Sequence, residues 1–450
     1  MVMKFRSVLD IACGIRYIYS QLDICSSLSR AILLDSEMST KIHDIEKAYD
    51  NINEVLPLLN KPTFASAINL IKIKLSELKD IRSSVIRLKE GAILDDIELF
   101  EIKSLAIINN DISSLLSQFN TESFKIYDTT HVLNLLDPDG NRITSFYIYD
   151  SYSPELTKLR RDYKQSNYQD QDIPFEISKY EEKIREQLSS SLREHYLLID
   201  NTMLSLALAD ILIAKCLQIK SLDLVVPKVS LNEKTEYRGL FNPEIESILK
   251  NEKREYQKTD ISFSSQKPLL ITGSNMGGKT VTLKTLALAQ LLFQYGFGIP
   301  SEEAHITPVN EIYLSCGDDQ DYRASLSSFA ADMKRVDKMI KSLKRGRFIL
   351  SLTDEPARTT NPVEGSALAE SLITVLSKYR SMNVLTTHYN ISNPYCTRLR
   401  VKGFENGKMN YSLVEDTGTE APHEALLIAE SLDIDSEWIE LAQKELNKRN

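Results

Sequence analysis

The run Leu269-Leu270-Ile271-Thr272-Gly273-Ser274-Asn275-Met276-Gly277-Gly278-Lys279-Thr280 constrains the fold of this chain more than any other stretch. An apolar strand feeds a glycine loop, and a lysine-threonine pair opens a helix. The glycines let successive backbone N–H groups curl around oxygen atoms, and the helix N-terminus adds positive potential. The pattern Gly, four residues, Gly-Lys-Thr therefore suits a polyphosphate. In such a loop Lys279 reaches the β/γ-phosphates and Thr280 holds Mg²⁺, which makes ATP with Mg²⁺ the expected ligand.

A second element of the same chemistry lies further along the chain. The apolar strand Phe348-Ile349-Leu350-Ser351-Leu352-Thr353 ends in Asp354-Glu355. Two carboxylates at the C-terminal end of a strand divide the work of a nucleotide hydrolase: the aspartate holds the Mg²⁺ shell, and the glutamate orients or deprotonates the attacking water. His388 closes the next buried strand, in Leu385-Thr386-Thr387-His388-Tyr389, where it is expected beside the γ-phosphate.

At 450 residues, 42% hydrophobic and 26% charged, the chain is too long for one ordinary core and too apolar for disorder, so two or three domains are expected. The five cysteines are widely spread and contain no Cys-x-x-Cys, which argues against a disulfide framework or a zinc site and fits a reducing cytoplasm. Lys4, Arg6, Asp10 and Arg16 interrupt any apolar run at the start, so no signal peptide or membrane span is expected there. The uncharged stretch Thr285 to Pro300 comes after the phosphate loop and is read as a packed core helix. A net charge of −9 does not suit a surface that must neutralise many phosphates, so duplex DNA is a disfavoured partner.

Residues 1 to about 120 carry apolar positions at helical steps, as in Ile42, Ile45, Tyr49, Ile52 and Val55. The turn Asp137-Pro138-Asp139-Gly140-Asn141 with Ser145-Phe146-Tyr147-Ile148-Tyr149 after it predicts a small β-hairpin. Residues 155–195 alternate charge at helical spacing and read as a long exposed helix pair, broken near Asp172-Ile173-Pro174. Leu204 to Leu217 is apolar nearly all round and should be buried. From about 219 strands, loops and helices alternate, which is an α/β texture.

Together these residues resemble the MutS family of dimeric ABC-type ATPases. Its loop resembles Gly273 to Val281, its acidic segment resembles Asp354-Glu355-Pro356-Ala357-Arg358-Thr359-Thr360-Asn361, and its histidine switch resembles Thr386-Thr387-His388-Tyr389. The resemblance is strongest over about 195–440. It implies an α/β P-loop ABC-type ATPase domain over 219–450 with C-terminal helices, preceded by an all-α core/lever domain over 1–125 and by the hairpin and long lever helices over 126–218. It also implies that Ser327 and Ser328 reach the nucleotide of another subunit, and that Tyr256 stacks on adenine. The same resemblance implies a homodimer, or a heterodimer with a MutS-like paralogue. Ser274, Thr359, Ser351 and Thr353 depart from the family pattern, which bears on turnover rate rather than on fold.

Two functions fit the resemblance. The wording Asp-Glu-Pro-Ala-Arg-Thr-Thr-Asn-Pro, with Thr-Thr-His-Tyr, is similar to MutS-like ATPases associated with reactivation of cobalamin-dependent lysine aminomutases. The acidic charge, and too few residues before the ATPase for a mismatch-reading domain or a full clamp, rank that protein-remodelling reading first. No nuclease tail is expected after Asn450, and no membrane association. The alternative is a DNA-binding MutS-family protein of mismatch repair or recombination.

Overall fold

The computed structural model describes residues 3–447 apart from 120, 144, 167, 169–171, 274–277, 317–327, 359, 390, 406–407, 417–428 and 430–433. The chain divides into two compact units. One comprises residues 1–22, 37–49 and 218–450, the other residues 23–36 and 50–217. This division differs from the expected limits, because two N-terminal segments group with the C-terminal half.

The first half is helical: α1 (Phe5–Val8), α2 (Ile15–Ser20), α3 (Ser27–Asp35), α4 (Ile42–Leu58), α5 (Pro62–Ser76), α6 (Arg82–Lys89), α7 (Asp96–Leu116) and α8 (Thr130–Leu136). It continues with α9 (Pro154–Gln165), α10 (Ile173–Arg193) and α11 (Tyr196–Ser221). The helical steps read from sequence point inward, since Ile45, Tyr49, Ile52 and Val55 are all buried. Helix α7 begins with a capping box: the Asp95 side chain accepts from the Ile97 and Glu98 N–H groups, and the Glu98 side chain accepts from the Asp95 N–H. Helix α11 is the one described helix long and apolar enough to cross a membrane, and 61% of that apolar window is buried inside the protein.

The expected hairpin does not form. Residues 141–149 carry no strand among the described residues. The turn itself is present, with the Gly140 N–H donating to the Asp137 carbonyl at 3.0 Å. Beyond the turn, side chains hold the segment in place of a ladder. Lys103 Nζ lies 3.2 Å from Asp137 Oδ1 and donates to Tyr149 Oη at 2.7 Å, and the Arg142 N–H donates to Asp137 Oδ2 at 2.8 Å. A buried ammonium on α7 thus captures both ends of the segment that the alternation assigned to paired strands.

Two sheets lie in the C-terminal half. A four-stranded sheet has the order β1 (Lys228–Val229), β5 (Glu303–Ile306), β2 (Lys234–Leu240), β3 (Thr259–Ser264). A six-stranded sheet has the order β10 (Lys408–Glu415), β9 (Thr397–Glu405), β4 (Leu269–Thr272), β8 (Met382–Thr387), β7 (Ile349–Asp354), β6 (Glu311–Ser315). All its neighbours run parallel except β10 against β9. Strand β8 is buried throughout and β7 nearly so, as expected of parallel strands covered on both faces. Helices α12 (Pro243–Asn251), α13 (Lys279–Gln294), α14 (Ser328–Lys344), α15 (Pro362–Leu376) and α16 (Ser436–Asn447) complete the described helices. Leu270 of β4 and Leu385 of β8 share one apolar cluster with Met339 and Leu343 of α14 and Leu372, Ile373 and Leu376 of α15. The stretch Thr285 to Gln294 of α13 is buried residue by residue, so the uncharged run is core.

Candidate functional site

Parallel neighbours end on the same side, so the C-terminal ends of β4, β8 and β7 meet in one crevice, the usual ligand position of such sheets. The registers are direct. Thr272 of β4 pairs with Thr387 of β8, and Asp354 of β7 pairs with Thr386 of β8. Gly273, Glu355 and His388 are the next residues of the three strands, which is why three separated motifs converge.

Gly273 and Gly278 both hold φ in the left-handed half of the map, at 138° and 71°, where a side chain would be strained. Residues Ser274, Asn275, Met276 and Gly277, expected to wrap the phosphates, lie outside the described residues. Gly278 precedes the first turn of α13, in which Lys279, Thr280 and Val281 stand in succession.

Lys279 is buried, donates from Nζ to the Gly273 carbonyl at 2.7 Å, and lies 3.3 Å from Glu355 Oε1. The other oxygen, Glu355 Oε2, sits 3.4 Å from His388 Nδ1 and accepts no hydrogen bond from any described residue, although it is buried. An unpartnered buried carboxylate oxygen is costly and calls for a reason. Thr280 Oγ1 donates to Asp354 Oδ2 at 2.6 Å, and Thr386 Oγ1 donates to Asp354 Oδ1 at 2.5 Å. The residues expected at a metal are therefore in contact. Among the described residues no group of three or more His, Cys, Asp or Glu could hold an ion. One hydroxyl and one carboxylate suit Mg²⁺, which keeps waters and takes its remaining ligands from phosphates.

Thr386 organises the site, a role that nothing in its local sequence marks. Besides holding Asp354, it receives the Glu355 N–H on both its carbonyl, at 3.2 Å, and its hydroxyl, at 3.1 Å. That doubly held N–H fixes a tight turn in which Glu355 and Ala357 adopt φ of 43° and 63°, left-handed conformations that non-glycine residues hold only under constraint. The hydroxyl of Ser351 inside β7 is also accounted for. It donates to Asn383 Oδ1 of β8 at 2.7 Å, and the Asn383 amide donates to Ser381.

Tyr256, expected to stack on adenine, is hydrogen-bonded at its hydroxyl. Its phenol is pushed up in pKa by burial, an effect eased by hydrogen bonds with the Thr285 side chain and the Asn242 backbone. The aromatic ring beside the loop is Tyr411 of β10, whose Cδ1 lies 3.1 Å from where a Cβ on Gly278 would stand. The Tyr411 N–H is fixed by Gln257 Oε1 at 2.7 Å. Nothing in the local sequence flags Tyr411, because the contact joins residues far apart in the chain. Ser327 lies outside the described residues. Ser328 opens α14, with its side chain outside them too.

Residues 269–414 match the family described as MutS domain V. The chain is 25% identical over 419 residues to Endonuclease MutS2 of Caldicellulosiruptor bescii, covering 91% of this chain and 50% of that protein. It is 32% identical over 249 residues to Endonuclease MutS2 of Ligilactobacillus salivarius, covering 55% of this chain and 30% of that protein. With Endonuclease MutS2 of Caldanaerobacter subterraneus subsp. tengcongensis the identity is 37% over 146 residues, covering 32% of this chain and 18% of that protein. The chain thus spans about half the length, or less, of these curated relatives. None of the three carries a name that speaks of aminomutase reactivation, so the ranking expected from charge reverses in favour of the DNA-related alternative. The matched residues include the phosphate loop, the Asp354-Glu355 pair and His388, so the likeness to the MutS family rests on the site itself.

Proposed function

We propose that this protein binds ATP with Mg²⁺ at the ends of β4, β7 and β8, hydrolyses it, and uses the nucleotide state to change its hold on DNA. The observation that carries hydrolysis is Glu355 Oε2, buried beside His388 without a hydrogen bond from any described residue while Lys279 holds Oε1. A water there would give its proton to Glu355 as its oxygen attacks the γ-phosphorus. The bond from that phosphorus to the β,γ-bridging oxygen then breaks, and ADP leaves with the electron pair. Lys279 would bind the β/γ-phosphates, and Thr280 with Asp354 would hold the Mg²⁺ that neutralises developing charge. Tyr411 offers an aromatic ring beside Gly278.

In this reading residues 219–450 form the ATPase domain, 1–125 the helical core/lever domain and 126–218 the long helices of the lever. Ser327 and Ser328 would complete a second subunit's site, making the working unit a dimer. The five cysteines, widely spread and without Cys-x-x-Cys, fit a reducing cytoplasm. The names of the relatives support a DNA client. The net charge of −9 limits the number of phosphate contacts, so binding should be salt-sensitive.

The test is Mg²⁺-dependent ATP hydrolysis, then titration of homoduplex and branched duplex at two salt concentrations in the ATP and ADP states. The expected result is hydrolysis together with duplex affinity that differs about 5- to 150-fold between the two nucleotides. Failure to bind either duplex in either state at low salt would remove the DNA reading.

A further inference from the structure

Helix α15 carries a glycine in its first turn, where alanine would ordinarily stabilise the helix by about 1 kcal/mol. A Cβ built on Gly365 would meet Tyr389 Oη at 2.4 Å, Tyr389 Cζ at 3.0 Å and the Ala357 carbonyl oxygen at 3.1 Å. The position is therefore closed from two sides. One side is the tyrosine next after His388. The other is the turn that begins at Glu355, whose Ala357 holds a left-handed φ of 63°. The Tyr389 ring also packs against the His388 ring, with centroids 4.3 Å apart and planes at 46°. The Tyr389 N–H donates to Thr387 Oγ1 at 3.0 Å, fixing where the ring leaves β8. Imidazole, phenol and helix are thus in contact in series, and the room for the phenol tip is set by the missing side chain at 365.

We propose that Tyr389 and Gly365 form a size-matched spacer that holds His388 at its 3.4 Å distance from Glu355 Oε2, which makes Tyr389 a positioning residue for the site. The proposal rests on the hydrolytic reading of that site. Tyr389 also touches the apolar cluster under α15, so a plain packing role is the competing account. The two differ in what a small change does. An added methyl at 365 cannot be accommodated by rotating one flexible end, because the phenol is rigid. The ring must tilt, and His388 moves with it.

The experiment uses Gly365→Ala, Tyr389→Phe, the double variant and Tyr389→Leu in the full chain. Two readouts are measured: ATP turnover with its kcat and KM separated, and the ring resonances of His388 in the nucleotide-free protein. Gly365→Ala is expected to move the His388 resonances and lower kcat about ten- to a hundredfold, with KM nearly unchanged. Removing the phenolic oxygen in Gly365→Ala/Tyr389→Phe relieves the closest contact and should restore part of both. Tyr389→Phe alone should stay near wild type. Tyr389→Leu keeps apolar packing but loses the ring, so it should lower kcat at an unchanged melting temperature; it serves as the test if Gly365→Ala does not fold. Unchanged His388 resonances in both Gly365→Ala and Tyr389→Leu, or shifted resonances with wild-type kcat, would overturn the proposal. Absence of hydrolysis by the wild type would instead overturn the functional reading, and the resonances would still decide the spacer.

Discussion

Each compact unit buries a lysine against a carboxylate, and the two pairs end differently. Lys103 and Asp137 lie 3.2 Å apart with side chains 0% and 1% exposed, and Lys279 and Glu355 lie 3.3 Å apart with side chains 2% and 8% exposed. By distance and burial they are alike. Their remaining valences separate them. Both oxygens of Asp137 are used, by Lys103 and Tyr149 on one and by the Arg142 N–H on the other, whereas one oxygen of Glu355 accepts no hydrogen bond from any described residue. A completed buried pair fixes structure. A pair left one bond short holds a place for something else, and the lesson is to read a buried charge by what it still lacks.

This contrast can be broken most forcefully at Glu355. Glu355→Gln keeps the shape and removes the base, so ATP turnover should fall about 10²- to 10⁴-fold while ATP binding persists. Loss of binding equal to that of Lys279→Ala would show that the glutamate serves to bind rather than to react. The completed pair should respond in stability instead. Lys103→Met leaves Asp137 charged and buried without its partner, which should cost about 3–5 kcal/mol in denaturant unfolding, and Lys103→Met/Asp137→Leu should recover most of that loss. A double variant as unstable as the single would mean that the pair itself, and not the orphaned charge, carries the energy. The smallest effect concerns thiols. Burial pushes Cys13 and Cys216, one in each unit, up to about 12, so both should resist alkylation at pH 8. Their thiolates form in quantity only as the pH approaches that value or as the surrounding unit opens. Saturating Mg-ATP should slow labelling of Cys13, which shares its unit with the nucleotide site, more than that of Cys216. Equal protection of the two would mean that nucleotide binding steadies both units together.

Much of the site is legible because its parts are local. Gly273 to Thr280, Asp354-Glu355 and His388 each sit where an apolar strand ends, and a parallel sheet brings such ends together whatever lies between them. The parts that escaped are those made by contact at long range. Thr386 reads as one more residue of a β-strand until register sets it opposite Asp354. Tyr411 stands beside Gly278 through a contact of the same long-range kind, which its own neighbours in sequence do not announce. The hairpin failed for the same reason, since alternation cannot foresee that Lys103 on α7 will claim both Asp137 and Tyr149. Helical period also says nothing about destination. Residues 37–49 read as part of a bundle, but the Tyr49 hydroxyl donates to the carbonyls of Phe293 and Phe297, 3.0 Å from each. Phe5 likewise stacks on Phe297 at 5.5 Å.

The bond between Ser351 and Asn383 governs how the crevice is assembled. These two residues face each other in register in the middle of β7 and β8, and Asp354 faces Thr386 three steps further on. Sliding one strand past the other would strand an amide and a hydroxyl in an apolar layer, at a cost of about 1–3 kcal/mol for each group left unsatisfied. The polar rung thus acts as a ruler. It measures off the distance from the strand interior to the strand tip, so the alignment of Asp354 with Thr386 is written away from the crevice, in a pair of fully buried residues.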